Sequence, residues 1–266
     1  MNTLLPRDID EALAAAAEYP EATILAGGTD LMVAAAYQWF RPSTVIGIRR
    51  VPELQEYDGR FIGAGVTYER LERGPLVALA QASRTVGSPQ IRAAGTIGGN
   101  LGTASPAGDS LPVLAALDAD VILRSRSGER TLRWDEFITG PKRTAREPGE
   151  LIVGVRLPEG IPQRQAFAKI GQRTAMVIAV ASCCVFRGED GITTVALGSV
   201  GPKTVRPRRA EAMISAETRP SAGALVEFAR LVSEEVSPIT DHRSTAEYRR
   251  YASGVLARRL LERVLA

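Results

Sequence analysis

Two short stretches combine glycine, small hydroxyl side chains and a carboxylate in a pattern suited to holding an anion. Residues 95–109 read Gly-Thr-Ile-Gly-Gly-Asn-Leu-Gly-Thr-Ala-Ser-Pro-Ala-Gly-Asp. With Ile97 and Leu101 as its only large apolar side chains, the run is expected to be neither a packed helix nor a strand. Glycine lets backbone N–H groups turn outward and approach another group closely. Such N–H groups, with hydroxyls between them, form a concavity for an anion, most simply a phosphate. From Asp109 onward apolar residues recur at helical spacing, so a helix N-terminus follows the loop. Upstream, residues 22–31 repeat the theme as Ala-Thr-Ile-Leu-Ala-Gly-Gly-Thr-Asp-Leu. One such loop is weak evidence, because glycine-rich strand-to-helix turns are common. Two of them, each followed by an acidic residue, suggest two walls of one diphosphate site. Neither reads G-x-G-x-x-G and neither ends in G-K-[ST], which disfavours a nicotinamide Rossmann domain and a P-loop ATPase.

The elements that must position these loops are legible in outline. Asp8 and Glu11 form a capping-box pattern ahead of a helix to residue 18. Strands are expected over 22–25, 44–48 and 61–66, and helices over 30–40 and within 67–86, an α/β arrangement. A hairpin follows over 119–133, then a short helix or turn over 134–138. The strand over 151–157 is expected to pair with 166–170. Strands 176–186 and 192–200 flank Gly-Glu-Asp-Gly, a hairpin signature, and helices are expected over 208–216, 222–235 and from 245 on. The last helix is expected to turn Tyr248, Tyr251, Val255 and Leu256 to one side, with arginines elsewhere. A boundary at 160–175 separates the α/β front from a β-then-α back.

Composition narrows the chemistry. The chain has 266 residues, 45% hydrophobic, with a formal charge of +3 and scattered basic residues, which implies no nucleic acid partner. The longest apolar run, 176–186, is too short to span a bilayer, and the N-terminus lacks a signal-peptide core, so a cytoplasmic protein is expected. The adjacent Cys183 and Cys184 are expected on opposite faces of a strand, as packed thiols. With those two cysteines and one histidine, no zinc, iron–sulfur or haem site can be assembled, and a Ser-His-Asp triad is improbable. Redox chemistry must then come from a bound organic cofactor.

The combination of Ala26-Gly-Gly-Thr-Asp-Leu31, Thr96-Ile-Gly-Gly-Asn100 and Pro106-Ala-Gly-Asp109 resembles the FAD-binding (medium) subunit of the molybdenum hydroxylases. These include the xanthine dehydrogenases, carbon monoxide dehydrogenase and 4-hydroxybenzoyl-CoA reductase. The segment Glu150-Leu-Ile-Val-Gly-Val-Arg-Leu-Pro158 and the closing hairpin and helices extend the resemblance over the whole chain. It implies an α+β fold: a two-lobed PCMH-like, vanillyl-alcohol-oxidase-type FAD domain over 1–165 (subdomains about 1–55 and 56–165), then a small antiparallel-sheet-plus-helices domain over 166–266. It also implies FAD contacts from Ile24, Leu25, Ala26, Gly27, Gly28, Thr29, Asp30 and Leu31, and from Thr96, Ile97, Gly98, Gly99, Asn100 and Thr103.

Asp109 matches the family's carboxylate near FAD. Repulsion keeps it off the diphosphate, so a bond to ribose hydroxyls or a loop amide is the sounder role. Ile152 matches an apolar position near the flavin. Lys169 matches a lysine at the isoalloxazine ring in some members, where a cation would raise the flavin potential; the other reading is a surface lysine at a strand end. Val86 departs from an aromatic position in some relatives, which puts stacking there in doubt.

The family's molybdopterin and 2Fe–2S clusters would reside on partner chains, a large and a small subunit, in a dimer of heterotrimers. The chain would then carry electrons from the iron–sulfur subunit to an acceptor such as NAD, a quinone or oxygen. A free-standing FAD oxidoreductase of the same superfamily and a non-catalytic nucleotide-binding protein are the alternatives. The first should bring its own catalytic Tyr, His or Arg, and the second should show no flavin absorbance.

Overall fold

A computed structural model describes residues 1–37 and 40–266. The N-terminal lobe is a parallel three-stranded sheet in the order β1-β3-β2, from β1 (Asn2–Leu4), β2 (Thr23–Leu25) and β3 (Thr44–Gly47). Helix α1 (Ile9–Glu18) begins where the Asp8 carboxylate accepts the Glu11 N–H at 2.8 Å, while Glu11 accepts the Arg7 N–H. This ties the first turn at both ends, and the helix buries Ile9, Ala12, Leu13 and Ala16. Helix α2 (Leu31–Ala36) buries none of its residues. The expected continuation toward residue 40 lies partly outside the described residues.

The middle lobe starts with β4 (Phe61–Gly63) and the helices α3 (Tyr68–Glu72), α4 (Val77–Arg84), α5 (Pro89–Ala94), α6 (Ile97–Thr103) and α7 (Leu111–Ala116). The helical pattern over 67–86 is thus two helices, split at Gly74 and Pro75, because proline cannot continue the first. Strands β5 (Asp120–Ser125) and β6 (Gly128–Arg133) form the expected hairpin, followed by helix α8 (Trp134–Phe137), the small pair β7 (Ile138–Gly140) and β8 (Arg143–Thr144), and β9 (Leu151–Arg156).

Strand β9 does not pair with 166–170. It lies between β4 and β5 in the antiparallel order β4-β9-β5-β6. Its Leu151, Val153 and Val155 are all buried, and Gly154 leaves room for the Phe61 ring, which lies 2.5 Å from where a Cβ would stand.

The segment 166–170 belongs instead to β10 (Arg164–Ile170), which pairs with β11 (Ala181–Arg187), itself paired with β12 (Thr193–Gly198), in an antiparallel sheet. Both faces of that sheet are covered. Ala166, Cys183, Val185 and Leu197 pack beneath helices α9 (Arg208–Ser215), α10 (Ala222–Glu235) and α11 (Ala246–Leu265). Phe167, Cys184, Phe186 and Ala196 face the middle lobe's core, so the two cysteines do point to opposite faces. The expected strand from 176 begins only at Ala181, after a bend in which Met176 takes φ +49°.

The last helix differs from expectation in its facing. Tyr248 and Tyr251 are 48% and 66% exposed, whereas Arg249 is buried at 3% beside Ala252 and Ser253. Among the described residues no helix is long and apolar enough to cross a membrane.

Candidate cofactor site

The first glycine loop leaves β2 at Leu25 and enters α2 at Leu31. Gly28 sits at φ +73°, which a side chain tolerates poorly. Gly27 is pressed so closely on the end of α5 that a Cβ would stand 1.7 Å from the Ala94 oxygen. Thr29 lies against Gly95, and the Thr103 hydroxyl reaches the Asp30 carboxylate at 3.5 Å. The two loops therefore touch along their length. Ile24, Leu25, Ala26 and Leu31 are half-buried around the first loop. Among the described residues, the N–H groups of Gly28, Thr29 and Asp30 donate to no group within the chain.

The second loop is built differently from its expectation. Residues 97–103 are a helix, α6, in spite of three glycines. Thr96 caps it, its hydroxyl accepting the Gly99 N–H at 3.0 Å, and the buried Ile97 and Leu101 hold it to the core. The Ile97 N–H donates to Val66 O at 3.1 Å and the Gly98 N–H to Ala64 O at 2.9 Å. A Cβ on Gly98 would lie 2.5 Å from that of Ala64. Glycine here serves close packing, and the N–H groups of residues 97–100 are spent inside the protein rather than turned outward. Gly99 faces open space except for the Thr96 hydroxyl, which a Cβ on Gly99 would meet at 3.2 Å, and Gly102 faces Ile152.

Beyond α6 the chain turns through Ala104 (φ +45°), and the Ser110 hydroxyl donates to Asn100 Oδ1 at 2.7 Å. This delivers Asp109 into the interior. Its Oδ2 lies 2.6 Å from Lys169 Nζ, both side chains being 7% exposed. Lys169 also donates to the carbonyls of Thr85 at 2.8 Å and Val177 at 3.0 Å, so all three ammonium protons are used. Lysine is rare in this chain, with three against thirty arginines, and this seat suits a compact ammonium rather than a planar fork.

The surface reading of Lys169 is corrected: it is a buried partner of Asp109. Burial pushes the Asp109 carboxyl up to about 6, against the pull of Lys169 and of the Thr85 hydroxyl. Asp109 Oδ1 is buried with no partner. Burial also raises the nearby Tyr68 phenol, an effect moderated by its hydrogen bond with Ser110.

The site residues thus form two groups. Residues 24–31 and 96–103 meet, with Ile152 against Gly102, and the Asn100–Ser110 bond links them to the Asp109–Lys169 pair. Thr85 and Val177 escaped sequence reasoning because each holds Lys169 by a main-chain carbonyl, which carries no residue signature, and the Thr85 hydroxyl that reaches Asp109 at 3.4 Å lies outside either glycine motif. Val86 is half-buried against the middle-lobe core, its carbonyl accepting Arg92 Nη1 at 3.3 Å. Two surface cavities, one bounded by Tyr57, Arg70 and Arg73 and one by Arg126, Arg130 and Glu147, include none of these residues.

Residues 1–160 match the family model for the FAD binding domain in molybdopterin dehydrogenase, and residues 166–264 that of the CO dehydrogenase flavoprotein C-terminal domain. This chain belongs to the FAD-binding subunits of the molybdenum hydroxylases. Among these flavoproteins it is 34% identical over 229 residues to the nicotinate dehydrogenase FAD-subunit of Eubacterium barkeri, covering 79% of this chain and 77% of the relative. Over 272 residues it is 30% identical to the caffeine dehydrogenase subunit beta of Pseudomonas sp. (strain CBB1), with 95% and 91% covered. A solved carbon monoxide dehydrogenase from Hydrogenophaga pseudoflava, lacking the Mo-pyranopterin moiety of its molybdenum cofactor, superposes with a TM-score of 0.90 at 28% identity, over 98% of this chain and 96% of that one.

The residues of this flavoprotein subunit fit FAD on two observations. Free N–H groups at Gly28, Thr29 and Asp30 suit a diphosphate, and the orphaned Asp109 Oδ1 suits a hydroxyl or N–H donor. Lys169 fits with one condition: to donate to a flavin carbonyl it must release one of its three present acceptors.

Proposed function

We propose that the chain holds FAD across the paired glycine loops and relays electrons from an iron–sulfur subunit to an external acceptor, NAD, a quinone or oxygen. The observation that carries this reading is the contact between the two loops beside the buried Asp109–Lys169 pair. Bound FAD supplies one- and two-electron redox chemistry. The chain's own part is to bind and orient. The Gly28–Asp30 N–H groups hold the diphosphate, with Gly27 letting the loop lie flat on α5. Thr96, Ile97, Gly98, Gly99, Asn100 and Thr103 form the opposing wall. Asp109 Oδ1 accepts a cofactor hydroxyl, Ile152 gives an apolar surface, and the Lys169 ammonium favours negative charge on the ring.

Electron entry requires partner chains. An iron–sulfur cluster takes four thiolates, and the two cysteines here are buried on opposite faces of β11, with burial raising both thiol pKa values. A 2Fe–2S small subunit and a molybdopterin large subunit, assembled as a dimer of heterotrimers in the cytoplasm, complete the reading.

The isolated chain should bind FAD in preference to FMN, and Gly28→Asp or Gly99→Asp should abolish binding by placing a carboxylate against phosphate. Retention of FAD by both variants would refute the placement. Dithionite should reduce the loaded chain, whereas an aldehyde, an aromatic heterocycle or carbon monoxide should not until both partner subunits are co-expressed. Rapid bleaching of the lone chain's flavin by such a substrate, followed by stopped flow, would make it a self-contained oxidoreductase.

A further inference from the structure

The Asp109–Lys169 contact is made between two lobes: Asp109 lies in the loop after α6, and Lys169 lies on β10. Thr85 meets both side chains locally, its carbonyl accepting from Lys169 Nζ at 2.8 Å and its hydroxyl donating to Asp109 Oδ2 at 3.4 Å. The segments that carry them are also both tied to one side chain that touches neither.

Arg249 on α11 is buried to 3%. Its Nη1 donates to Val180 O at 2.8 Å and to Ser199 O at 2.7 Å, and its Nη2 donates to Asp241 Oδ1 at 2.7 Å. Asp241 is fixed in turn, because Oδ1 also accepts the N–H groups of Arg243 at 2.8 Å and Ser244 at 3.2 Å. The guanidinium is therefore held from its carboxylate side independently of the two carbonyls.

Each carbonyl leads to one half of the pair. The Val180 N–H donates to Ile170 O at 2.7 Å, and Ile170 follows Lys169. The Ser199 N–H donates to Pro106 O at 2.8 Å, three residues before Asp109. Ser199 sits at φ +65°, a conformation a serine holds only when its surroundings impose it. Here its N–H is bound to the loop after α6 and its carbonyl to Arg249. Gly198 is packed on the same loop, a Cβ there lying 3.5 Å from the Pro106 oxygen. A buried arginine with two carbonyl acceptors and a carboxylate partner is a strong set of bonds, charge-assisted and shielded from water.

We propose that Arg249, anchored by Asp241, is a positioning residue that, from beyond Thr85, holds the segments carrying Lys169 and Asp109 in register across the two lobes. If the pair lies at the flavin, as proposed above, the same residue governs FAD retention from the far end of the chain.

Amine labelling of the full chain tests this without any cofactor. The sequence holds three lysines, Lys142, Lys169 and Lys203. Lys142 is exposed and serves as the reference. Lys203 donates to the Asp135 and Ile138 carbonyls at 3.0 and 3.4 Å, a site that reports general loosening. Pulsed acetic anhydride with mass-spectrometric readout should modify Lys169 in the wild type roughly tenfold or more slowly than Lys142, as burial requires.

In Arg249→Met the Lys169 rate should rise about fivefold with Lys203 unchanged, and in Arg249→Lys and Asp241→Asn it should rise less. An unchanged Lys169 rate, or an equal rise at Lys203, would overturn the proposal. Should Arg249→Met fail to fold, the other two variants carry the same test. The Kd for FAD and the flavin potential are measured on the same proteins. Lys169 labelling that rises while both stay at wild-type values would leave the alignment role standing and remove the pair from the flavin site.

Discussion

The loop at residues 26–31 and the loop at residues 95–109 share a sequence plan, a strand or turn, paired glycines, then oxygen side chains, and they do different mechanical work. In the second, glycine is the condition for packing: Gly98 abuts Ala64, Gly108 abuts Asn100, and the N–H groups at 97–100 are consumed by the protein. In the first, the loop lies flat on α5 through Gly27, its N–H groups at Gly28–Asp30 stay free, and the helix it feeds buries no residue. One wall of the site is therefore a rigid part of the core and the other is compliant with donors to spare. Paired glycine motifs do not by themselves say which is which; the partner of each missing Cβ does.

The largest effect should come where the rigid wall meets the C-terminal lobe. Lys169→Met leaves Asp109 buried and unpaired, a loss of about 3–5 kcal/mol when the carboxylate is charged. The pH dependence sharpens the test. Asp109 is pushed up to about 6 when folded, against its ordinary value of 3.8, so the native state binds the proton more tightly. Its contribution to stability is complete below about 3.8 and is lost as pH rises through 6. Without the lysine the folded value climbs further, and the loss continues to higher pH. Urea unfolding should show a gap between variant and wild type that is small at pH 5 and wide at pH 8. An equal gap at both would mean that the pair is not buried as described.

Next in size is a pair of alanine substitutions within the rigid wall. Gly98→Ala places a methyl 2.5 Å from Ala64 Cβ and 2.7 Å from its carbonyl oxygen, so backbone must shift, at a cost of roughly 2–3 kcal/mol. Gly99→Ala meets only the Thr96 hydroxyl at 3.2 Å and gains helix propensity, so it should change stability by less than about 0.5 kcal/mol. Comparable losses in both variants would remove the distinction between packing and site glycines.

Gly27→Ala is the corresponding test of the compliant wall. Its Cβ would overlap the Ala94 oxygen at 1.7 Å, the shortest approach at either loop. Because α2 is not packed in the core, the loop can lift away, and the cost should stay at about 1–2 kcal/mol despite the worse overlap. FAD affinity should fall more than stability does, since lifting separates the two walls. A loss exceeding that of Gly98→Ala would show the first loop to be the stiffer one.

These contrasts also mark what could be read from sequence. Loop positions, the Asp8–Glu11 cap, the hairpin at Gly188–Gly191 and the facing of Cys183 and Cys184 rest on local spacing, and local spacing sufficed. Helix α6 was illegible because three glycines in seven residues argue against a helix; Thr96 and the contact with Ala64 overrule that propensity. The neighbours of β9 were illegible because strand pairing is non-local and 166–170 alternates as plausibly. The buried seat of Lys169, itself named from the sequence, and the whole of Arg249 were hidden for one reason: their acceptors include the carbonyls of Thr85, Val177, Val180 and Ser199, and any residue type can supply those.

The smallest expected effect concerns α2. Met32 and Val33 are 61% and 49% exposed, and no residue of the helix is buried. Met32→Ser should therefore alter the stability of the isolated chain by less than about 0.5 kcal/mol, since little apolar surface leaves or enters water. In a chain of this size that is a Tm shift of roughly 1–2 °C. The small change is informative because the neighbouring Gly28 is at φ +73° and its Cβ position lies 3.3 Å from Met32 Cγ, so the two could support each other. If Met32 braced that turn, its loss would propagate into the loop and lower Tm by several degrees. Calorimetry on Met32→Ser separates the cases: a shift within the small range leaves the first loop held by its contacts with α5, Gly95 and Thr103, and a larger one ties it to α2 and ends the contrast between the walls.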